Sequence, residues 1–393
     1  MAMKIIVSSI VDICNSAPNR IHQVLCRLMK RHEVKVVCFQ DVWKAQGVNY
    51  HQTNRLVELD KLAVHYPLKI SVSPVFQELL APFRIFLQGI NGPYDLHFNY
   101  NSLLMGAAVQ SKLGRSVPMI YDLADDLAGM ITTSPQVHPL LQSLGGAVGR
   151  EILRRNIHKA RYVTVTCPEI IATCRIPSEK AVLLPNGVNV ELFRFQEDAV
   201  KVKKGLGFSG NLVLGYVGVL REWLDWEPVY QAMLRFPQAK LIIVGSEGKV
   251  EEQKREVAQK GLGNRVIFTG MVPYDEVPMY ISFFDLALIP FDRNSVSINA
   301  LPLKLFEYMS CRCPVASTEL PALQRIAGDA VHYYRDGEGL QKIMVQRLAD
   351  PVLFQKKADR GQQIVREGYN WDFLVGKLEK LMSGSCENKE GVV

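Results

Sequence analysis

NALPLKLFEYMSCRCPVAS, residues 299–317, reads as a short helix running into a buried strand. Leu303, Phe306 and Met309 recur at helical spacing with Leu305 beside them, Asn299 is a capping residue type, and Pro302 suits a first helical position. Cys313-Pro314 ends the periodicity, and PVAS resumes as apolar strand. Lys304 therefore falls in the first helical turn, where the macrodipole is already equivalent to about half a positive charge. An ion pair with Glu307 would be worth only about 0.2–0.5 kcal/mol, with the two residues in the less favourable order. A bound anion would remove the conflict.

The same strand-helix alternation extends outward in both directions. KIIVSSI, EVKVVCF, YDLHFNY and VPMIYDLAD read as strands in the first half, separated by helical stretches such as RIHQVLCRLMKRH and LLMGAAVQSKLG. After residue 200 the order repeats with LVLGYVGV, AKLIIVGS, RVIFTG and DLALIPF as strands. This pattern predicts α/β structure with parallel sheets and helices on both faces. The expected divisions are a first doubly wound domain over 1–198, a second over 199–368, a C-terminal helix over 369–384 packing back on the first, and a disordered tail over 385–393. The turn Pro185-Asn186-Gly187 and the charged stretch after it supply the connection.

Composition narrows the class. A chain of 393 residues, 48% hydrophobic, exceeds the usual single core. The net charge of +7 divides as +5 over residues 1–200 and +2 over the rest, enough for an anionic partner and too little for a nucleic-acid footprint. Cys14, Cys26, Cys38, Cys167, Cys174, Cys311, Cys313 and Cys386 form no CxxC pair and no ligand-like spacing, so no structural zinc is expected. MKIIVSS reads as a strand instead of a leader peptide, which predicts a cytoplasmic location with free thiols. The most apolar run, residues 73–90, is interrupted by Glu78, Pro82 and Arg84, which argues against a membrane span.

In open α/β sheets ligands settle beyond the carboxyl ends of the strands, and two such domains create a cleft. In the second domain this selects Gly218 and Arg221 after LVLGYVGV, Gly245 after KLIIVG, and the segment from Asp292 into the opening helix. LPNGVNVELF, VIFTGMVPYDEVPMYISFFDLALIPF and PLKLFEYMSCRCPVAS, in that order, resemble the C-terminal half of GT-B glycosyltransferases, above all the large retaining family that uses nucleotide diphosphate sugars. The resemblance covers roughly residues 180 to 375, Trp371 included, and APNRIHQVLCRLMKRHEVKVV is similar to the start of teichuronic-acid-type members.

The resemblance implies a GT-B architecture of two Rossmann-like domains facing across a cleft, and a UDP- or GDP-linked sugar as substrate with no cofactor. Glu307 would accept hydrogen bonds from the donor's ribose. The first glutamate of the family's pair is Asn299 here. The family's basic pair is replaced by Val219 and Leu224, leaving Arg221, Lys304 and the helix-start N–H groups for the diphosphate, with Leu301 and Leu305 flanking them. The family's glycine after the helix is Arg312.

In the first domain Asp122, Asp125 and Asp126 follow a strand. Asp125 is the expected acceptor-binding or catalytic carboxylate, while Asp122 or Asp126 could instead cap the next helix. A metal site made of them is the lesser alternative. Ser9 to Asn19, with Asn99, is expected to line the acceptor side, and Arg20 and His22 to begin the helix after it. Arg150, Arg154, His158 and Arg161 share one helical face, a solvated face or, with the 73–90 segment, a contact for anionic lipid head groups. The combined expectation is a metal-independent glycosyltransferase acting on a glycan or lipid-linked hydroxyl, with the cleft closing on the donor. A sugar-nucleotide epimerase and a non-catalytic binding subunit are the alternatives. No strand is followed by Gly-x-Gly-x-x-Gly, which removes a nicotinamide dehydrogenase.

Overall fold

The computed structural model describes residues 2–40, 56–68, 74–90, 92–133, 137–205, 208, 210–245, 248–294, 297 and 300–387. The chain divides into two compact units, one formed by Met1–Pro185 with Trp371–Val393 and the other by Asn186–Asn370.

Unit one holds β1 Lys4–Ser9, β2 Glu33–Cys38, β3 Ala63–His65, β4 Leu96–Tyr100, β5 Met119–Leu123, β6 Tyr162–Val165 and β7 Ala181–Leu183, in the order β3-β2-β1-β4-β5-β6-β7. Every pairing is parallel, with Ile5 opposite Val34 on one side and Leu96 on the other. Ile5, Ile6, Val7, Val36, Phe98 and Ile120 are almost wholly buried, as expected of parallel strands covered on both faces. Ala81 and Ile85 of helix Pro74–Gln88 and Met105, Ala108 and Val109 of helix Leu104–Leu113 join Ile6 and Val37 in the core of one face. On helix Arg20–Leu28 lies helix Trp371–Glu387, tied by Arg27 to Asp372 at 3.0 Å and Arg31 to Glu379 at 2.7 Å.

Unit two holds β8 Leu212–Val217, β9 Ala239–Val244, β10 Val266–Gly270, β11 Leu286–Ile289, β12 Val315–Thr318 and β13 His332–Tyr334, in the order β10-β9-β8-β11-β12-β13, again parallel. Leu214, Leu241, Leu286 and Leu288 are the buried centre of its core.

Three boundaries differ from expectation. The division falls at Pro185 and Asn186, ahead of residue 198, because Arg20 holds the carbonyls of Leu184 and Pro185 while Asn186 donates to Leu301 O. Helix Leu303–Ser310 starts one residue later than expected, with Pro302 outside it in an extended conformation. The last helix continues into the expected tail as far as Glu387, with Ser385 buried and Cys386 Sγ 3.9 Å from Met3 Sδ, and the remainder of that tail, 388–393, lies outside the described residues. Among the described residues no helix is long and apolar enough to cross a membrane.

Candidate functional site

The strand order of unit two reverses at β8, whose neighbours β9 and β11 are reached by connections leaving in opposite directions. Such a switch point opens a crevice beyond the strand ends. The loop after β8 begins with Gly218 at φ +130°, and the loop after β9 with Gly245 at φ +145°. Gly218 N–H donates to Val244 O at 2.8 Å and Gly245 N–H to Gly270 O at 3.0 Å, so the two backbones run together. A Cβ on Gly245 would collide with the carbonyl of Gly218, and one on Gly248 with that of Leu220. Only glycine allows this approach.

Helix Leu303–Ser310 brings Lys304 against this loop: a Cβ on Gly218 would lie 3.2 Å from Lys304 Nζ. The ammonium donates to Tyr216 Oη at 2.7 Å, stands 4.0 Å from the centre of that ring, and Tyr216 in turn donates to Val219 O at 2.9 Å. No ion pair joins Lys304 to Glu307 among the described residues; both side chains are half-buried. Loss of hydration pulls the Lys304 pKa down to about 7 against the opposing charge of Glu307. The same loss of hydration pushes Glu307 up to about 7 against the charge of Lys304. The first-turn N–H groups of a helix have no intrahelical acceptors, and Pro302 supplies no side-chain cap. The result is a partly desolvated cation at a positive helix end, beside backbone stripped of side chains. Its physical complement is an anion.

The other expected donor residues divide. Leu301 and Leu305 are buried and offer only backbone, Leu301 O being held by Asn186 Nδ2 at 2.7 Å. Arg221 is exposed and lies over the Trp223 ring at 5.9 Å. Asn299 lies outside the described residues. Leu224 is spent on an antiparallel bridge to Phe291, and Val219 on its carbonyl bond from Tyr216. Arg312 now has a reason: it stands at φ +55°, with its N–H bonded to Met309 O and that of Cys313 to Tyr308 O, the Schellman ending in which glycine is usual.

In unit one the three aspartates separate. Asp122 is fully buried; Arg20 Nε and Nη2 donate to its two oxygens at 2.9 and 2.8 Å, and Thr164 Oγ1 donates at 2.7 Å. Arg20 also donates to Leu184 O and Pro185 O, each at 2.9 Å. Asp122 is thus a structural anchor and not a catalytic candidate. Asp126 accepts from Gly129 N–H at 3.0 Å and caps helix Leu127–Thr133. Asp125 alone is exposed, touched by Asn101 Nδ2 at 3.2 Å. Crowding by the protein around it raises its pKa despite that exposure; Asn101 opposes the shift, and Asp122 and Asp126 add to it.

The expected acceptor-side residues are occupied internally. Ser9 Oγ bonds Val11, Asn19 caps helix Arg20–Leu28 with His22 answering it, and buried Asn99 lies between Ser8 Oγ and Ser102 O. The buried role of Arg20 and the orienting role of Asn101, itself at φ +48°, had no local signal in the sequence. Tyr216 could have been found: it sits two residues before Gly218 and so faces the same side of β8. Among the described residues no group of three or more His, Cys, Asp or Glu side chains could hold a metal ion.

Residues 199–342 match the family described as glycosyl transferases group 1. The putative teichuronic acid biosynthesis glycosyltransferase TuaH of Bacillus subtilis is 28% identical over 224 residues, 56% of this chain and 55% of that protein. The 2-deoxystreptamine glucosyltransferase of Streptomyces kanamyceticus is 28% identical over 248 residues, 59% of this chain and 61% of that one. The matched part thus spans less than two thirds of either relative. The crystal structure of Anabaena HepE in complex with UDP superposes with a TM-score of 0.71 at 19% identity, covering 97% of this chain and all of that one. The fold is that of GT-B glycosyltransferases, built from two Rossmann-like domains.

Proposed function

From the premise that residues 199–342 are a group 1 glycosyl transferase domain, we propose that the protein moves a sugar from a nucleotide diphosphate sugar to the hydroxyl of a glycan or lipid-linked acceptor. The observation that carries this reading is Lys304, a cation at a helix tip, desolvated, without a carboxylate partner among the described residues and set against the bare backbone of Gly218. A diphosphate placed there meets the ammonium and the helix dipole together, and its charge grows as the sugar departs, when that potential is worth most.

Glu307, one helical turn further, accepts the ribose hydroxyls. Gly218 and Gly245 let the nucleotide lie against backbone, and Arg221 adds long-range attraction. Asp125 is assigned the acceptor hydroxyl: it accepts that proton as the oxygen bonds to the anomeric carbon and the bond from that carbon to the diphosphate breaks. Its raised pKa suits a base. The reading gives charge neutralisation to Lys304 and the helix, so a chelator should leave transfer intact. UDP-linked and GDP-linked sugars are both candidate donors.

The test is calorimetry with UDP-glucose and GDP-mannose on the wild type, Lys304→Met and Glu307→Gln, followed by transfer assays with the donor that binds. Weaker binding that can still be measured and loss of transfer in the variants, both folded and Lys304→Met at least as stable as the wild type, is the expected result. Full transfer by both variants would remove the site assignment.

A further inference from the structure

Helix Pro74–Gln88 exposes the wrong side chains for a face turned to water. Phe76, Leu79, Leu80, Phe83, Phe86 and Leu87 recur at spacings of three and four, so they share one face; Phe83 is 66% and Leu87 64% exposed. The opposite face is the one used for folding, with Gln77, Ala81 and Ile85 buried. A helix apolar on its outer side presents a surface that something else must cover.

The charges around the stripe identify the cover. The helix has a single carboxylate, Glu78, and it points away from the stripe to cap helix Leu104–Leu113, accepting from the N–H groups of Leu103, Leu104 and Met105 at 2.8–3.0 Å. Cations border both flanks. Lys112 reaches over the Phe86 ring at 5.3 Å on one, and exposed Arg84 stands on the other. Beyond Arg84 opens a cavity of about 440 Å³ to which Lys35, His65 and Arg84 contribute and, among the described residues, no Asp or Glu does. Neither Lys35 nor Arg84 pairs with a carboxylate among the described residues.

We propose that this face of unit one docks on a bilayer containing anionic phospholipid, with the Phe and Leu stripe entering the boundary between head groups and acyl chains, and a head-group phosphate taken into the Lys35, His65 and Arg84 cavity. An apolar stripe bordered by Lys and Arg is the pattern of helices that lie in a membrane interface. A second copy of the chain fits worse. A twofold contact would set the Arg84 and Lys112 of one copy against those of the other. The surface is independent of the donor chemistry and stands or falls apart from it.

The experiment is co-sedimentation of the full chain with vesicles of phosphatidylcholine alone or mixed with phosphatidylglycerol. Wild type is expected to bind the mixed vesicles about tenfold or more tightly than the neutral ones, weakening with salt. Phe83→Ser with Phe86→Ser should weaken binding to mixed vesicles about tenfold or more. Lys35→Gln with Arg84→Gln should lose the preference for anionic lipid while keeping the residual neutral binding. Melting points and calorimetric binding of nucleotide sugar report that the variants fold and should not change. Equal binding to both vesicle types, or unchanged binding by the Ser variant, overturns the proposal. So does a wild-type dimer in sedimentation velocity that the Ser variant dissolves without any vesicle binding.

Discussion

Lys304 and Glu307 both titrate near neutrality, so donor binding should have a pH optimum at about 7 with a separate residue behind each limb. The ammonium form of Lys304 is the one that attracts diphosphate. Its pKa in the free protein is pulled down to about 7, so the cation is lost as pH rises through that value. Each further unit then weakens binding by up to about tenfold, about 1.4 kcal/mol, because a proton must be taken up as the anion restores the ammonium. Glu307 runs the other way. Its carboxylate is the stronger acceptor for ribose hydroxyls, and with the pKa pushed up to about 7 that form is lost as pH falls below it.

A nucleotide sugar is the right probe, since its diphosphate diester does not titrate in this range. Calorimetry from about pH 5.5 to 8.5, in two buffers of different ionisation enthalpy, would give affinity and proton uptake together. Lys304→Met should abolish the alkaline limb and its proton uptake; Glu307→Gln should abolish the acid limb. Without ligand, Lys304→Met should also make the protein more stable, most of all below pH 7, because the partly desolvated ammonium penalises the folded state there. That gain should fade as pH climbs towards the ordinary lysine value of 10.5. A wild-type affinity that is flat across the range, with no proton exchanged above pH 7, would refute the placement of Lys304 beside the diphosphate.

Asp125→Asn should lower kcat by about 10²–10⁴ with donor affinity unchanged, read from initial rates against calorimetry. Its melting point should stay put, since the side chain is exposed and bonded only to Asn101 among the described residues. Arg20→Met strands a buried carboxylate and should cost about 3–5 kcal/mol in urea titration, much of it recovered by adding Asp122→Leu. Gly245→Ala sets a methyl group on Gly218 O at a φ reserved for glycine, and should cost about 1–3 kcal/mol or more while weakening nucleotide binding. Arg312→Gly removes a left-handed residue worth about 1–2 kcal/mol of strain and forfeits an exposed pair with Asp359 worth about 0–1 kcal/mol, so the denaturation midpoint should hold or rise.

Short continuous apolar runs alternating with period-3.6 stretches, signals carried by neighbouring residues, made both sheets legible in the sequence. Helix Leu303–Ser310 was legible too, and so was the odd position of Lys304, because a macrodipole is a local property. What stayed hidden depends on distance along the chain. Arg20 reads as an ordinary helix opener until its carboxylate, 102 residues away, and two carbonyls more than 160 residues away close around it. The three aspartates of DLADD could not be ranked from spacing, since their roles follow from which way the backbone leaves β5. Glu78 looked like a flaw in an apolar segment. In the folded chain it is the cap of a neighbouring helix, and with that carboxylate turned inward the apolar outer face of helix Pro74–Gln88 is bordered by cations alone among the described residues.

Unit two is one uninterrupted stretch of chain and unit one is not, which sets an order of events during synthesis. Asn186–Asn370 closes its core without the last helix, whereas the earlier half of the polypeptide must wait for Trp371–Glu387 to emerge before helix Arg20–Leu28 is covered. Its apolar flank stays open for the whole time the later unit is being made. Fragments that begin at residue 1 and stop before residue 371 should therefore aggregate, while a piece cut at 186 and 370 should fold by itself.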